Sequence, residues 1–305
     1  MDTKRRHWFR VALQYKSSVV PAVLNRVLLC GVFGFFVSVL HQLGLSVSWP
    51  ILGSLIPNIV LGLLLVFRTN TAYDRFWEGR KNWGNLVNTV RNLARQIWVA
   101  VKEIEPGDRE KKIATIRLLV AFSVATKLHL RGEPVNQELE HLLSSERYFK
   151  LKSMNNPPLK VAFWIGDYLQ EQYELKCISN YQLTALHRLL DSMVDSLGSC
   201  ERILKTPMPL AYSIHLKQLL LIYCLSLPFQ MVNDFLWFTG PIVALISFTL
   251  FGIEEIGSEI ENPFGYDAND LPLDSICATM LRNIEDLMSH EPTASGQKYL
   301  TSSRM

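Results

Sequence analysis

The sequence predicts an all-α protein in which four membrane helices pass into a cytosolic helical bundle. Three observations lead there. Asn58 to Glu105 holds no strong helix breaker, its only weak points being Gly62, Gly79 and Gly84. Two blocks, 27–67 and 210–253, are apolar, with charged sequence between and after them. No alternation of apolar and polar residues is sustained anywhere, so strands are not expected.

Composition agrees. The 305 residues are 49% hydrophobic and 19% charged, apolar and charge-poor for a soluble protein. A net charge of +3, with no basic stripe interleaved with aromatics, argues against a nucleic-acid partner. Cys30, Cys177, Cys200, Cys224 and Cys277 are scattered without a CxxC pair, which reads as reduced thiols.

Residues 1–26 form a basic N-terminal cytosolic segment carrying Lys4, Arg5, Arg6, Arg10, Lys16 and Arg26. The apolar run that follows is long and lacks a cleavage site of small residues, so it reads as a retained membrane helix, Val27 to Leu45. An uncharged connector, Ser46 to Pro50, leads to a second apolar run, Ile51 to Phe67, completing the 27–67 pair. Arg68, Arg75, Arg80 and Lys81 come next. Positive charge flanks the pair on one side only, which puts the N-terminus and the 68–209 helical region in the cytoplasm.

A helix over Asn58 to Glu105 is about 70 Å long at ~1.5 Å per residue. A bilayer core is roughly 30 Å thick, so this helix starts in lipid and continues into water. From Trp83 on, Leu86, Val90, Leu93 and Ile97 step by three and four, the seam of a helix packed on others. The aromatics between Tyr73 and Trp83 suit packing at the membrane exit. Further helices are expected over 109–130, 137–151, 158–176 and 181–205, with breaks at Pro106-Gly107, Gly132 to Pro134 and Pro157-Pro158.

Thr206 to Pro209 stops the last of these. Leu210 to Val232 is the third membrane helix, with His215 and Lys217 at the membrane surface or facing other protein. Asn233-Asp234 is a polar link, and Phe235 to Ile253 is the fourth, with a kink expected at Gly240-Pro241. Glu254, Glu255, Glu259 and Glu261 open a cytosolic C-terminal region, 254–288, followed by a polar flexible tail, 289–305. Both termini are then cytoplasmic.

Few groups offer chemistry. Ile59, Leu63 and Phe67 sit at i, i+4 and i+8 and share one ridge. Taken alone, such a ridge reads as packing against another helix. Glu261 to Asp270 is rich in oxygen acceptors: Asn262, Asp267, Asn269 and Asp270, with Glu259 just before. Hard cations want six to eight such ligands, but Asn-Pro, Phe-Gly and Asp-Ala-Asn-Asp are also turn chemistry. Arg91 and Arg95, with Asn88 and Asn92, either hold an anion or pair with the acids after 254. The histidines are dispersed, without metal-ligand spacing. No GxSxG, P-loop, HExxH or GxGxxG occurs, and no catalytic residues are assigned; the protein reads as a non-enzyme.

Three stretches carry a resemblance. They are FRTNTAYDRFWEGRKNWGNLVNTVRNLARQ from Phe67, CERILKTPMPLAYSIHLK from Cys200 and IENPFGYDANDLPLD from Ile260. Together they resemble the bestrophin family of ion channels, in its bacterial and plastid-type branch. The resemblance implies a homopentamer around one central pore. It implies that Ile59, Leu63 and Phe67 form a hydrophobic pore neck, and that a cytosolic constriction lies in the 177–186 region, at Ile178 or Thr184. In animal members the matching loop is an acidic clasp for Ca²⁺. Here Tyr266, Ala268 and Asn269 thin the acid run, so a Ca²⁺ on Asn262, Asp267, Asp270 and Glu259 is expected to have at most a modest effect. No cofactor is required.

The implied function is passage of small monovalent ions, with chloride or other anions favoured. The partners are further copies of the chain, the lipid bilayer and inorganic ions, in a cell inner membrane or a thylakoid membrane. Alternatives are a cation-selective channel of the same family and a membrane-anchored helical scaffold. A secondary transporter would show inverted repeats and broken midplane helices, and neither is evident.

Overall fold

The computed structural model describes residues 13–15, 18–49 and 55–290, and among these the chain is helical with no strand. The basic cluster Lys4 to Arg10, Lys16, the start of the second apolar run and the tail beyond His290 lie outside the described residues. One helix of 46 residues, α2 (Leu55–Ala100), contributes to both compact units of the chain. The first unit comprises Met1–Trp77 and Thr206–Asp270, and the second Glu78–Lys205 and Leu271–Met305.

In the first unit α1 (Val20–Gln42) starts with a proline in its first turn, where no helical N–H bond is lost. It begins earlier and ends sooner than the expected 27–45, because Gly44 with φ +83° turns the chain out. Past the Thr206 to Pro209 break come α8 (Leu210–Phe235), a 3₁₀ turn (Leu236–Phe238) and α9 (Thr239–Glu259). The core joins Val23, Val27 and Cys30 of α1, Leu61 and Leu65 of α2, Leu216, Leu220, Cys224 and Leu227 of α8, and Val243 and Phe251 of α9.

Helices α1 and α9 touch backbone to backbone. A Cβ on Gly240 would lie 2.9 Å from the Gly31 carbonyl oxygen and 3.1 Å from the Phe35 nitrogen. This is the small-residue contact by which helices associate when burial from water is not the driving force.

Two sequence expectations are corrected in this hairpin. Asn233-Asp234 is not a link but the last turn of α8; the reversal is made by the 3₁₀ turn, where Leu236 takes φ +48°. Ser38 Oγ stands 3.0 Å from Gly34 O and 2.9 Å from Leu236 O, holding the reversal against α1. Gly240-Pro241 does not kink the fourth helix but lies in the first turn of α9, where proline removes no hydrogen bond. The proline inside a helix is Pro228, in α8.

In the second unit α2 ends at Ala100, short of the expected Glu105. Asp108 stops it by accepting the N–H groups of Ile104 at 3.0 Å and Glu105 at 2.8 Å. Those N–H groups, Glu105 first, hold the Asp108 carboxyl below its ordinary pKa. Then α3 (Asp108–Arg131) runs between two left-handed glycines, Gly107 and Gly132. The expected helix 137–151 is two: α4 (Gln137–Glu140) and α5 (Ser145–Lys152). Ser144 stops the first and caps the second by accepting from the Arg147 N–H. Next come α6 (Pro157–Glu174), α7 (Asn180–Lys205) and, after the loop, α10 (Leu273–Met288).

Three stretches of described residues are long and apolar enough to cross a membrane: Val20–Gln42, Asp108–Arg131 and Leu210–Glu259. The second has 78% of its apolar window buried within the protein, so its apolarity belongs to packing. It is the hub of the second unit, packed against α6, α7 and α10. Lys127, only 1% exposed, lies in that hub with Nζ 2.7 Å from both Glu138 Oε2 and Asp274 Oδ1. The five cysteines are buried and free.

Candidate functional site

The faces of α2 decide where a site can be. At 3.6 residues per turn, Leu61, Leu65, Arg68 and Ala72 share one stripe, and all four are buried. Ile59, Leu63 and Phe67 fall on the opposite side. They are 52, 51 and 61% exposed, and Val66 beside them is exposed too. A row of large apolar side chains therefore faces away from the protein's own core, as far along the helix as Phe67. An exposed apolar ridge of this kind marks an interaction surface or a lining. Beyond Phe67 the same side turns polar, with Asn70, Thr71 and Asp74 all exposed.

Directly after Phe67, on the buried stripe, lies a cluster that the sequence reading did not name. Arg68 is 2% exposed, and its Nη2 sits 2.7 Å from Glu261 Oε2, with Nη1 against the Met208 sulfur. Glu261 Oε1 accepts the Met208 N–H at 2.8 Å. Arg75 Nε donates to the Glu261 carbonyl at 3.2 Å, and its Nη1 to the Thr206 carbonyl. Burial pushes the Glu261 carboxyl up, but the Met208 N–H and the Arg68 guanidinium outweigh it and leave its pKa below the ordinary value. This one carboxylate joins α2, the entry to α8 and the segment after α9. The signal was present in the sequence: Arg68 shares the Leu61, Leu65 and Ala72 stripe, not the Ile59 one.

Within the first unit the acids after 254 find other cations. Glu254 stands 3.8 Å from Arg26 and 3.7 Å from Lys217, and Glu255 is 3.0 Å from Arg26. Lys217 is 58% exposed beside this contact.

In the Glu259 to Asp270 loop the oxygens close turns. Asn262 Oδ1 accepts the Phe264 N–H at 3.3 Å and Asp270 Oδ2 the Asp267 N–H at 2.8 Å. Glu259 Oε2 accepts from the Asn269 amide at 2.8 Å. A Cβ on Gly265 would lie 2.8 Å from Asp270 Oδ2, so a larger residue there would push the Asp270 carboxylate aside. No group of three or more His, Cys, Asp or Glu placed to hold a metal occurs among the described residues.

Of the two constriction residues, Ile178 is buried in the α6–α7 loop. Thr184 is exposed on α7, with its hydroxyl donated to the Asn180 carbonyl at 3.0 Å.

A helical protein with membrane-length apolar helices and an apolar ridge turned outward from its long central helix is an integral membrane protein. Residues 1–286 match the family described as Bacterial/Fungal Bestrophin protein, and the chain belongs to that family. It is 68% identical over 292 residues to a voltage-dependent anion channel-forming protein of Nostoc sp., covering 96% of this chain and 95% of that one. It is 58% identical over 287 residues to a protein of the same description in Synechocystis sp., covering 94% of each. A bacterial bestrophin homologue from Klebsiella pneumoniae has the same fold, with TM-score 0.79 and 29% identity over 88% of this chain and 100% of that one.

Proposed function

We propose that the chain is one subunit of a homopentameric channel whose single central pore passes small monovalent anions, chloride foremost. The observation that carries this is the ridge Ile59, Leu63 and Phe67, large, apolar and more than half exposed on a helix whose other side is buried. One ridge cannot enclose a path, but the same ridge from several copies can. Its side chains offer an ion neither charge nor hydrogen bond, so they set the barrier to wetting and do not replace the hydration shell. The names of the relatives in Nostoc and Synechocystis support the anion preference.

In this reading four helices cross the bilayer, 27–67 and 210–253 in pairs. The 68–209 region and 254–288 are cytosolic, as are both termini. The membrane is a cell inner membrane or a thylakoid membrane. Thr184, exposed near the start of α7, is the better placed of the two residues for a second constriction. The Glu259 to Asp270 loop works as a clamp beside Arg68, and Ca²⁺ is not required. Asp74, exposed past the ridge, is the one feature that favours cation passage.

Purified protein in liposomes tests the class. The expected result is an uncoupled chloride flux; silence under every ion gradient would return the protein to a scaffold role.

A further inference from the structure

Within the second unit α2 and α10 border a groove of about 340 Å³ that no part of the proposed conduction path uses. Arg80, Gly84, Asn88 and Arg91 line it from α2, and Ser275 and Thr279 from α10. Its wall holds two guanidiniums, an amide and two hydroxyls, with Val87, Ile276 and Met280 between them and no carboxylate. Gly84 forms part of the floor: a Cβ there would meet Arg80 Nη1 at 3.7 Å, so the guanidinium lies across the glycine. Arg91 stands two turns further along, and helical side chains lean toward the N-terminus, which points it back toward the same gap.

Several cations elsewhere in this unit have carboxylate partners, while others, such as Arg147 over Trp164, rest on aromatic rings. Lys112 has Glu103 at 2.9 Å, Lys127 has Glu138 and Asp274, and Arg202 has Glu78. Arg80 and Arg91 are exposed and have neither an ion pair nor a hydrogen bond to a described residue. A third guanidinium reaches the rim, where Arg282 Nη2 donates to Thr279 Oγ1 at 3.1 Å. The Thr279 hydroxyl is itself given to the Ser275 carbonyl at 2.8 Å, leaving Ser275, Asn88 and the arginines as the donors of the lining. Ser275 also lies in the first turn of α10, whose N-cap, Pro272, supplies no side-chain cap. The positive end of that helix adds to the field. The one acid of that turn, Asp274, is taken by Lys127 at 2.7 Å and Arg131 at 3.1 Å.

We propose that this groove is a binding site for a phosphate-class oxyanion, free or as the phosphoryl group of a small molecule. Two planar forks suit a tetrahedral oxyanion, which each can grip by two parallel hydrogen bonds. A halide is a single atom with no second acceptor to use the fork, and the space is larger than a halide needs. The site is separate from the ridge of Ile59, Leu63 and Phe67, and its ligand is not the proposed permeant ion.

The test uses the full-length protein in nanodiscs, in a gluconate buffer. Sodium phosphate is titrated in one arm and phenyl phosphate in the other, with heat and ³¹P line width as readouts. Saturable binding is expected, weakened at least tenfold in R80Q/R91Q, since charge-assisted hydrogen bonds are the strong ones. Single R80Q and R91Q should each weaken it, and R95Q should not. Tighter binding of phenyl phosphate points to a phosphorylated molecule, and of phosphate to the free ion; either supports the site. No saturable binding of either, or equal affinity in the wild type and R80Q/R91Q, would overturn it. Binding is read without current, so a protein that fails to conduct can still bind, and one that conducts can fail to.

Discussion

Arg68 shows how much a single side chain can decide. It follows an apolar run and carries a charge, so by composition it belongs at a wet helix exit. Its phase on the helix places it instead among buried residues, and only Glu261, 193 residues further along the chain, makes that tolerable. Removing one partner of a buried pair leaves the other charge without compensation, at about 3–5 kcal/mol. Glu261→Gln should therefore lower the midpoint of thermal unfolding sharply, and more than Glu255→Gln. The pH dependence has a definite sign. The folded-state pKa of Glu261 is depressed below 4.5, so its contribution is present above that value and fades as pH falls through the lower folded pKa. The gap between wild type and Glu261→Gln should close in acid and be full at neutral pH.

Lys127 behaves asymmetrically. Burial pulls its pKa down, but Asp274 and Glu138 more than reverse this and leave it raised. Its partners are half or more exposed, at 50% and 60% of their side chains, and can return to water, whereas Lys127 cannot. Glu138→Gln with Asp274→Asn should thus destabilise more than Lys127→Met, as read by denaturant midpoint. Neither pairing was legible in the sequence, because ion pairs between distant segments leave no local pattern.

At the scale of elements, the long helix was legible because helix breakers are absent from it, and so was the shared face of Ile59, Leu63 and Phe67, though spacing alone read it as packing and not as exposed. Boundaries were less so. They are set by single hydrogen bonds, such as Asp108 holding the Ile104 and Glu105 N–H groups, or Ser144 capping α5. The α8–α9 turn was misplaced because Asn-Asp reads as a turn, while the reversal uses Leu236 held by Ser38. The α1–α9 contact gives a prediction of its own. Gly240→Ala gains up to about 1 kcal/mol of helix propensity. The new methyl meets backbone 2.9 Å away, which overpacking prices at about 1–3 kcal/mol. The clash should win, and the variant should melt below wild type. For the ridge, replacing Ile59, Leu63 and Phe67 together by Ala should raise single-channel conductance strongly and leave the sign of selectivity nearly unchanged. Unchanged current would make the ridge a packing face.

For the whole molecule, the all-α class followed from the sequence, since apolar blocks of membrane length and helical stripes admit little else. The hub role of Asp108–Arg131 did not, because an apolar helix buried in protein and one immersed in lipid have the same composition. Nor can one chain display its own symmetry. Mass measurement of the detergent-solubilised protein should give five subunits, and a conducting monomer or dimer would end the pentameric reading.

The most direct test of the central claim is the reversal potential of the purified protein in a planar bilayer under a potassium chloride gradient. The account predicts a current that reverses near the chloride equilibrium potential. Reversal near the potassium potential would contradict the anion preference, and no current at all would contradict the channel.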